Sequence, residues 1–411
     1  MEEMRLPVLL LSAGLLVGAA AFGVGQLQAP RAASAHATAP AAAPVSPVPE
    51  TAPAKEHAEP ETPAPATPEP TASPVEASPV VTPVPAPAAL PARASIPGIR
   101  HEYQRLNNCG PVTIGMALSR WGSAVNQYDI APRLKPSSGD VNVSPEELAD
   151  YARSQGMDVH LARGGDRTLL RRLLAAGFPV IVETWFVTPD SGGMGHYRLL
   201  TGYDDAAMRF SALDSYLGPL RMDYVGFDRL WRSFGRTYLV VSAPEKTAQV
   251  RELLGFRADP LAAKQENLRV AQAEANRLGD AISFLNLGQA RLELGDARGA
   301  VRAFDQAFAA PADRSLDPTR PSWVQGGLPW RTLWYSFGPL EAYMRTGRPA
   351  DVLRLAGAVL RSVPTHEEAH YWRGRALSAL GREAEARVAF RESLRLRPGF
   401  AAARVALTAL N

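Results

Sequence analysis

The only cysteine in the 411-residue chain, Cys109, lies in the stretch QRLNNCGP, residues 104–111. A lone thiol is ordinarily an inert apolar residue, but this one has the surroundings of a nucleophile. Pro111 suits a first helical turn, and Val112, Met116, Ala117 and Trp121 then recur at helical spacing, so Cys109 begins a helix. The partial positive charge at a helix N-terminus favours thiolate and draws the pKa below the roughly 8.5 of a free cysteine. Gln104 is near enough in sequence to bring an amide N–H beside the sulfur and meet a developing oxyanion.

Such a nucleophile needs a base within reach and a third group that orients the base. Of the seven histidines, His36 and His57 fall in a Pro/Ala-rich stretch, and His366 and His370 fall in a helical repeat. His101 belongs to the entry segment just before the cysteine, and His160 has no acid placed beside it. His196 is the best candidate, because it opens a strand directly after the glycine-rich run 191–195. A strand from His196 to Tyr203, a turn at Asp204 and Asp205, and a strand from Arg209 to Asp214 make a hairpin that returns Asp214 alongside His196. Trp185 and Tyr197, on strands of the same set, either line the cleft as substrate-binding residues or pack in the core. There is no second cysteine, no histidine pair at ligand spacing in this region and no phosphate-binding glycine loop. The expected chemistry therefore needs no metal and no cofactor.

Taken together, Gln104, Cys109 with Gly110 and Pro111, Gly195 with His196 and Tyr197, and Leu213 with Asp214 and Ser215 resemble the signature of family thirty-nine of the cysteine peptidases. Its best-known members are papain-like domains that process double-glycine leader peptides, and many relatives stand alone. The resemblance spans roughly Arg100 to Ser242. It implies Cys109 as nucleophile, His196 as general base and acid, Asp214 as its orienting partner and Gln104 as oxyanion donor. The leader-peptide substrate is not implied. The sequence shows no accompanying transporter and ATPase, and Asn107 and Asn108 stand before the cysteine where leader-processing members usually carry an Asp.

The elements that must position these groups follow from periodicity. Helical patterns run from Cys109, from Ser144 to Gln155 and from Asp166 to Ala176, and Ser144, Pro145, Glu146 and Glu147 form a strong start signal. Strand patterns follow at Pro179 to Phe186, His196 to Tyr203, Arg209 to Asp214 and Thr237 to Ser242. Helices first and strands after, joined by short turns, predict an α+β papain-like domain with an antiparallel sheet over residues 96–245.

From Asp259 the pattern is helical throughout, with a 34-residue period. Gly347 and Gly381, Val352 and Ala386, and Pro364 and Pro398 are each one period apart, and Gly288, Gly295, Ala300 and Phe304 belong to an earlier copy. This resembles tetratricopeptide repeats, predicting an all-α domain over 259–411. An interruption around Pro311 to Trp330 is either a loop facing the other domain or a passive insertion.

Before the folded part, Leu6 to Leu27 is uncharged and long enough to span a bilayer, as a transmembrane anchor or a signal peptide within residues 1–28. Residues 29–95 hold 17 of the 36 prolines and read as a disordered Pro/Ala-rich linker. The net charge of +3 gives no case for nucleic acid. From Arg251 onward, however, 22 Arg and one Lys face 17 acids, which suits either an acidic partner or an Arg-rich solvated helical surface. The combined expectation is a membrane-tethered, extracytoplasmic cysteine peptidase, secreted if the first segment is cleaved, whose repeats recruit a peptide or protein substrate or partner. The alternatives are an idle papain-like fold serving with the repeats as a protein-binding module, and an amidase or transpeptidase acting on cell-wall peptides.

Overall fold

The structure, a computed structural model, describes residues 89–137, 140, 142–187, 192–324 and 326–410. The apolar run Leu6 to Leu27 and nearly all of the Pro/Ala-rich stretch lie outside the described residues. Among the described residues, no helix is long and apolar enough to cross a membrane.

The α/β part runs β1 (Arg93–Ser95), α1 (Cys109–Ser119), α2 (Gln127–Leu134), α3 (Pro145–Ser154), β2 (Asp158–Ala162), α4 (Arg167–Ala175), β3 (Val180–Phe186), β4 (Met194–Asp204), β5 (Arg209–Asp214), β6 (Gly218–Asp223), α5 (Tyr224–Trp231), β7 (Tyr238–Ser242) and α6 (Thr247–Leu254). Its strands form one antiparallel sheet in the order β2-β7-β3-β4-β5-β6, with β1 paired to the end of β4. Alternation along the central strands sets the layers. Ile181, Leu199 and Leu239 face α1, α2 and α3, while Val182, Leu200 and Val240 face the cluster around α4, α5 and α6. Helix α1 carries no charged residue and is buried from Gly110 to Leu118, so it is the central helix of its layer. Capping agrees with composition. Ser144 and Glu147 close a capping box on α3, Asn126 and Asp129 do so on α2, and Asp166 caps α4.

Two boundaries differ from the composition-based reading. Arg93 to Ser95 fall in the stretch assigned to the linker yet pair with Gly202 to Asp204. Helix α2 escapes periodicity because it is short and has Pro132 inside it.

The helical part comprises α7 (Pro260–Leu278), α8 (Ala281–Glu293), α9 (Ala297–Ala309), α10 (Gly338–Arg345), α11 (Pro349–Ser362), α12 (Glu367–Ala379), α13 (Glu383–Leu396) and α14 (Ala401–Thr408). The repeat is visible as a repeated contact. A Cβ on Gly288 would lie 2.4 Å from the Phe304 ring, and one on Gly374 would lie 2.6 Å from the Phe390 ring. Both phenylalanines are fully buried, so neither ring has room to retreat. Gly288→Ala is expected to destabilise by roughly 1–3 kcal/mol through overpacking, read as a lowered Tm with the α/β part unchanged in near-UV spectrum. Part of the arginine content is held in local pairs, since Arg269, Arg354, Arg382 and Arg395 each pair with an acid three residues away.

The repeats pack on the α/β part through many polar ties. Arg232 binds Asp280 at 2.8 Å, Arg236 binds Glu274 at 3.1 Å, and Arg163 pairs with Glu293. The segment between α9 and α10 is the most consequential of these contacts. Trp185 Nε1 donates to Leu316 O at 2.6 Å, Arg331 Nη1 donates to Gly193 O at 2.7 Å and Thr319 Oγ1 donates to Gly192 O at 3.1 Å. Of the two readings of the interruption, the structure therefore has the segment that faces the other domain.

Candidate active site

Cys109 is the first residue of α1, behind Asn108 as N-cap and Asn107 in the left-handed region at φ 57°. Asparagine tolerates that conformation, which turns the chain sharply into the helix. The thiol sits half-buried in a cleft of about 330 Å³ whose lining includes Gln104, Val143, Glu183, His196, Tyr216 and Tyr335.

Strand β4 carries His196 and strand β5 carries Asp214, and the hairpin register sets Asp214 opposite Arg198. His196 Nε2 hydrogen-bonds Asp214 Oδ1 at 3.0 Å, and both side chains are buried. The same oxygen accepts the backbone N–H groups of Tyr216 and Leu217 at 2.8 and 2.9 Å, while Oδ2 accepts Arg198 Nε at 2.8 Å. Phe186 stacks on the imidazole with ring centroids 4.5 Å apart. Cys109 and His196 line the same cleft, close enough for each to shift the other's proton affinity.

The electrostatics follow from these contacts. Burial pushes the Cys109 thiol up, but the hydrogen bond and charge of His196, with the Tyr197 and Gly110 backbone, outweigh it and leave the pKa below its ordinary value. Burial pulls His196 down, and Asp214 with Cys109 more than reverses this, so the imidazole titrates above its ordinary value. Burial also acts against the Asp214 carboxylate, yet His196, Arg198 and the Leu217 N–H hold its pKa well below the usual carboxylate range. The arrangement favours thiolate, imidazolium and carboxylate in a row.

Gln104 is fixed by its neighbours. Its backbone N–H donates to Ser215 O at 2.8 Å and its side-chain oxygen accepts Ser215 Oγ at 2.7 Å, which leaves the Nε2 amide as the donor end in a residue that lines the cleft. The structure thus brings Gln104, Cys109, His196 and Asp214 together. It does not do so for Trp185, which is 2% exposed and packs against Phe234 and Tyr335, its indole N–H engaged by Leu316. The substrate-binding assignment of Trp185 is corrected on that ground: the segment before α10 covers it. Tyr197 borders the cleft but is 5% exposed, and its hydroxyl donates to Val143 O at 2.9 Å, so its role is in the core.

Four contributors were missed. Arg198 lies two residues beyond His196 on the same strand face, so a charged residue in a buried strand was the available signal. His101, set aside as a base, binds the Asp214 backbone oxygen at 3.0 Å. Glu183 is a lone acid in an otherwise apolar strand, and burial pushes its carboxyl up to about 8 against the partial offset of Arg163. Tyr335 reaches the cleft from the segment between repeats and its ring packs on Gly195, a placement no local pattern reveals.

Residues 96–239 match the model of the Peptidase_C39 like family, and residues 367–400 match that of the tetratricopeptide repeat. No protein of curated function matches the chain. Similar solved structures include a C39-like peptidase from Bacillus anthracis, at 15% identity and TM-score 0.31, over 36% of this chain and 96% of that one. The peptidase domain of Streptococcus ComA, a bifunctional ABC transporter in a quorum-sensing pathway, is similar at 16% identity and TM-score 0.29, over 35% and 96%. On the helical side, YrrB, a tetratricopeptide-repeat protein with an unusual peptide-binding site, is similar at 16% identity and TM-score 0.26, over 39% and 79%.

Proposed function

We propose that this chain, with its C39-like segment and its helical repeats, is a cysteine peptidase held at a membrane with both folded parts outside the cytoplasm. The observation that carries the peptidase reading is one cleft lined by Cys109 and His196, each shifting the other's proton affinity, with His196 hydrogen-bonded to the buried Asp214. Cys109 Sγ attacks an amide carbonyl carbon, and the oxyanion is met by the Gln104 amide and the backbone N–H of Cys109. His196 delivers its proton to the leaving amine as the C–N bond breaks. It then takes a proton from water, which attacks the thioester, releases the acid and restores the thiolate. Asp214 fixes the imidazole so that one nitrogen always faces the sulfur. The uncharged run Leu6 to Leu27 and the proline-rich stretch after it support the tether. The tetratricopeptide match supports a peptide or protein as substrate or partner, and Tyr335 in the cleft wall ties the repeats to what the cleft accepts.

The test is alkylation of the full chain by iodoacetamide from pH 5 to 9, beside His196→Ala. Thiolate is present above the lowered Cys109 pKa, and imidazolium persists up to the raised His196 pKa. Alkylation is thus expected with a midpoint well below the roughly 8.5 of a free thiol, moving up in the variant. Peptide cleavage is expected to fail below the first of these pKa values and above the second. An ordinary thiol midpoint unaffected by the variant removes the peptidase reading and leaves the repeats as the functional part.

A further inference from the structure

The first turn of α12 holds a second group of titratable residues, outside the cleft and unused by the mechanism above. His366, Glu367 and Glu368 are 0%, 1% and 7% exposed. One ligand atom from each, an imidazole nitrogen and two carboxylate oxygens, lies within 4.8 Å of the others. Their hydrogen bonding does not close. His366 Nε2 bonds the Trp334 carbonyl at 2.9 Å, and a carbonyl only accepts, so that nitrogen carries the proton. His366 Nδ1 makes no hydrogen bond and faces Glu368 Oε2 at 3.3 Å, a contact that is an ion pair only when the ring is protonated and otherwise sets a bare lone pair against an acceptor. Both side-chain oxygens of Glu367 are likewise buried without a partner.

The surrounding charge deepens the imbalance. Asp140, 2% exposed with its Oδ2 unpartnered, and Glu147 face the cluster from the α/β part; the cations near them are Arg397, which pairs with Glu147 and reaches Glu368 at 3.3 Å, and Lys135, which acts on Asp140. A buried lone pair facing carboxylates, with its other nitrogen anchored on a carbonyl, is the arrangement of a metal-binding histidine.

We propose that His366, Glu367 and Glu368 bind one divalent first-row transition ion, zinc or manganese. One nitrogen and two oxygens suit such an ion better than magnesium or calcium, which prefer oxygen alone. Binding at the roughly 2.0–2.2 Å of such bonds requires the two carboxylates to turn towards the ion. The role follows from position. Trp334 O, which anchors His366, also accepts Asn142 Nδ2 at 3.1 Å, and Asn142 and Val143 line the cleft beside Cys109. The ion fastens the repeats to the wall of the cleft. The sequence reading considered ligands only around the cysteine and so passed over this set.

The experiment uses the full chain with Cys109→Ala, so that the thiol does not compete for metal. Chelator-dialysed protein is given Zn²⁺ or Mn²⁺, and bound metal and Tm are measured, with Glu367→Gln in the same background. The expected result is about one ion per chain, a Tm raised by on the order of 5 °C or more at saturation, protons released on binding, and loss of all three in Glu367→Gln. Glutamine keeps nearly the size and shape of the acid, so the Tm without metal should match the parent. Absence of stoichiometric binding, or equal binding by Glu367→Gln, overturns the proposal.

Discussion

Asp214→Asn is expected to lower the unfolding free energy by about 3–5 kcal/mol, the scale for breaking a buried ion pair, and to abolish the low alkylation midpoint of Cys109. An ionised carboxylate serves donors on both sides: His196, Tyr216 N and Leu217 N at Oδ1, and Arg198 at Oδ2. Asparagine offers one accepting oxygen and one donating nitrogen. With its oxygen toward the three donors, its amide N–H faces a buried guanidinium; reversed, it opposes His196. The pH dependence has a definite sign. Because the Asp214 pKa is depressed on folding, its stabilisation is complete above the unfolded value of about 3.9 and is lost as pH falls through the folded one. The Tm difference between the parent and Asp214→Asn should be full at neutral pH and shrink below about pH 4. A variant as stable as the parent at pH 7 would contradict this account of the pair.

Trp185→Ala is expected to cost about 3–5 kcal/mol, the range for truncating a buried aromatic, while the alkylation midpoint of Cys109 stays where it was. The indole fills the seam where β3 meets the segment between α9 and α10, against Phe234 and Tyr335, and its N–H holds Leu316 O. A residue that bound substrate would behave the other way, changing KM with little effect on Tm. Thermal melting and pH-resolved alkylation of one variant separate the two.

Much of this was legible in local pattern. The start of α1 at Cys109, the capping box of α3 and the β4–β5 hairpin are set by residues close in sequence, and the four clustered site residues follow from those elements. Trp185 shows where such reasoning ends. An aromatic residue in a strand reads the same whether its outer side meets solvent, substrate or another domain, and what covers it here lies far along the chain. Tyr335 was hidden for the same reason, being a product of the packing between the two parts, whereas His366, Glu367 and Glu368 are consecutive and only their burial was hidden. Arg198 and Glu183 were different, because charged residues inside apolar strands were in plain view and signal a buried partner or a raised pKa.

The wall contributed by Tyr335 also bears on the order in which the protein becomes complete during synthesis. Translation adds roughly 5–20 residues per second. The last strand, β7 (Tyr238–Ser242), therefore leaves the ribosome on the order of ten seconds before the tyrosine that faces Gly195. During that interval the nascent chain carries Gln104, Cys109, His196 and Asp214 with one side of the cleft open. A fragment ending at Ser242 would stay in that state permanently, with a cleft that lacks the wall of the full-length protein.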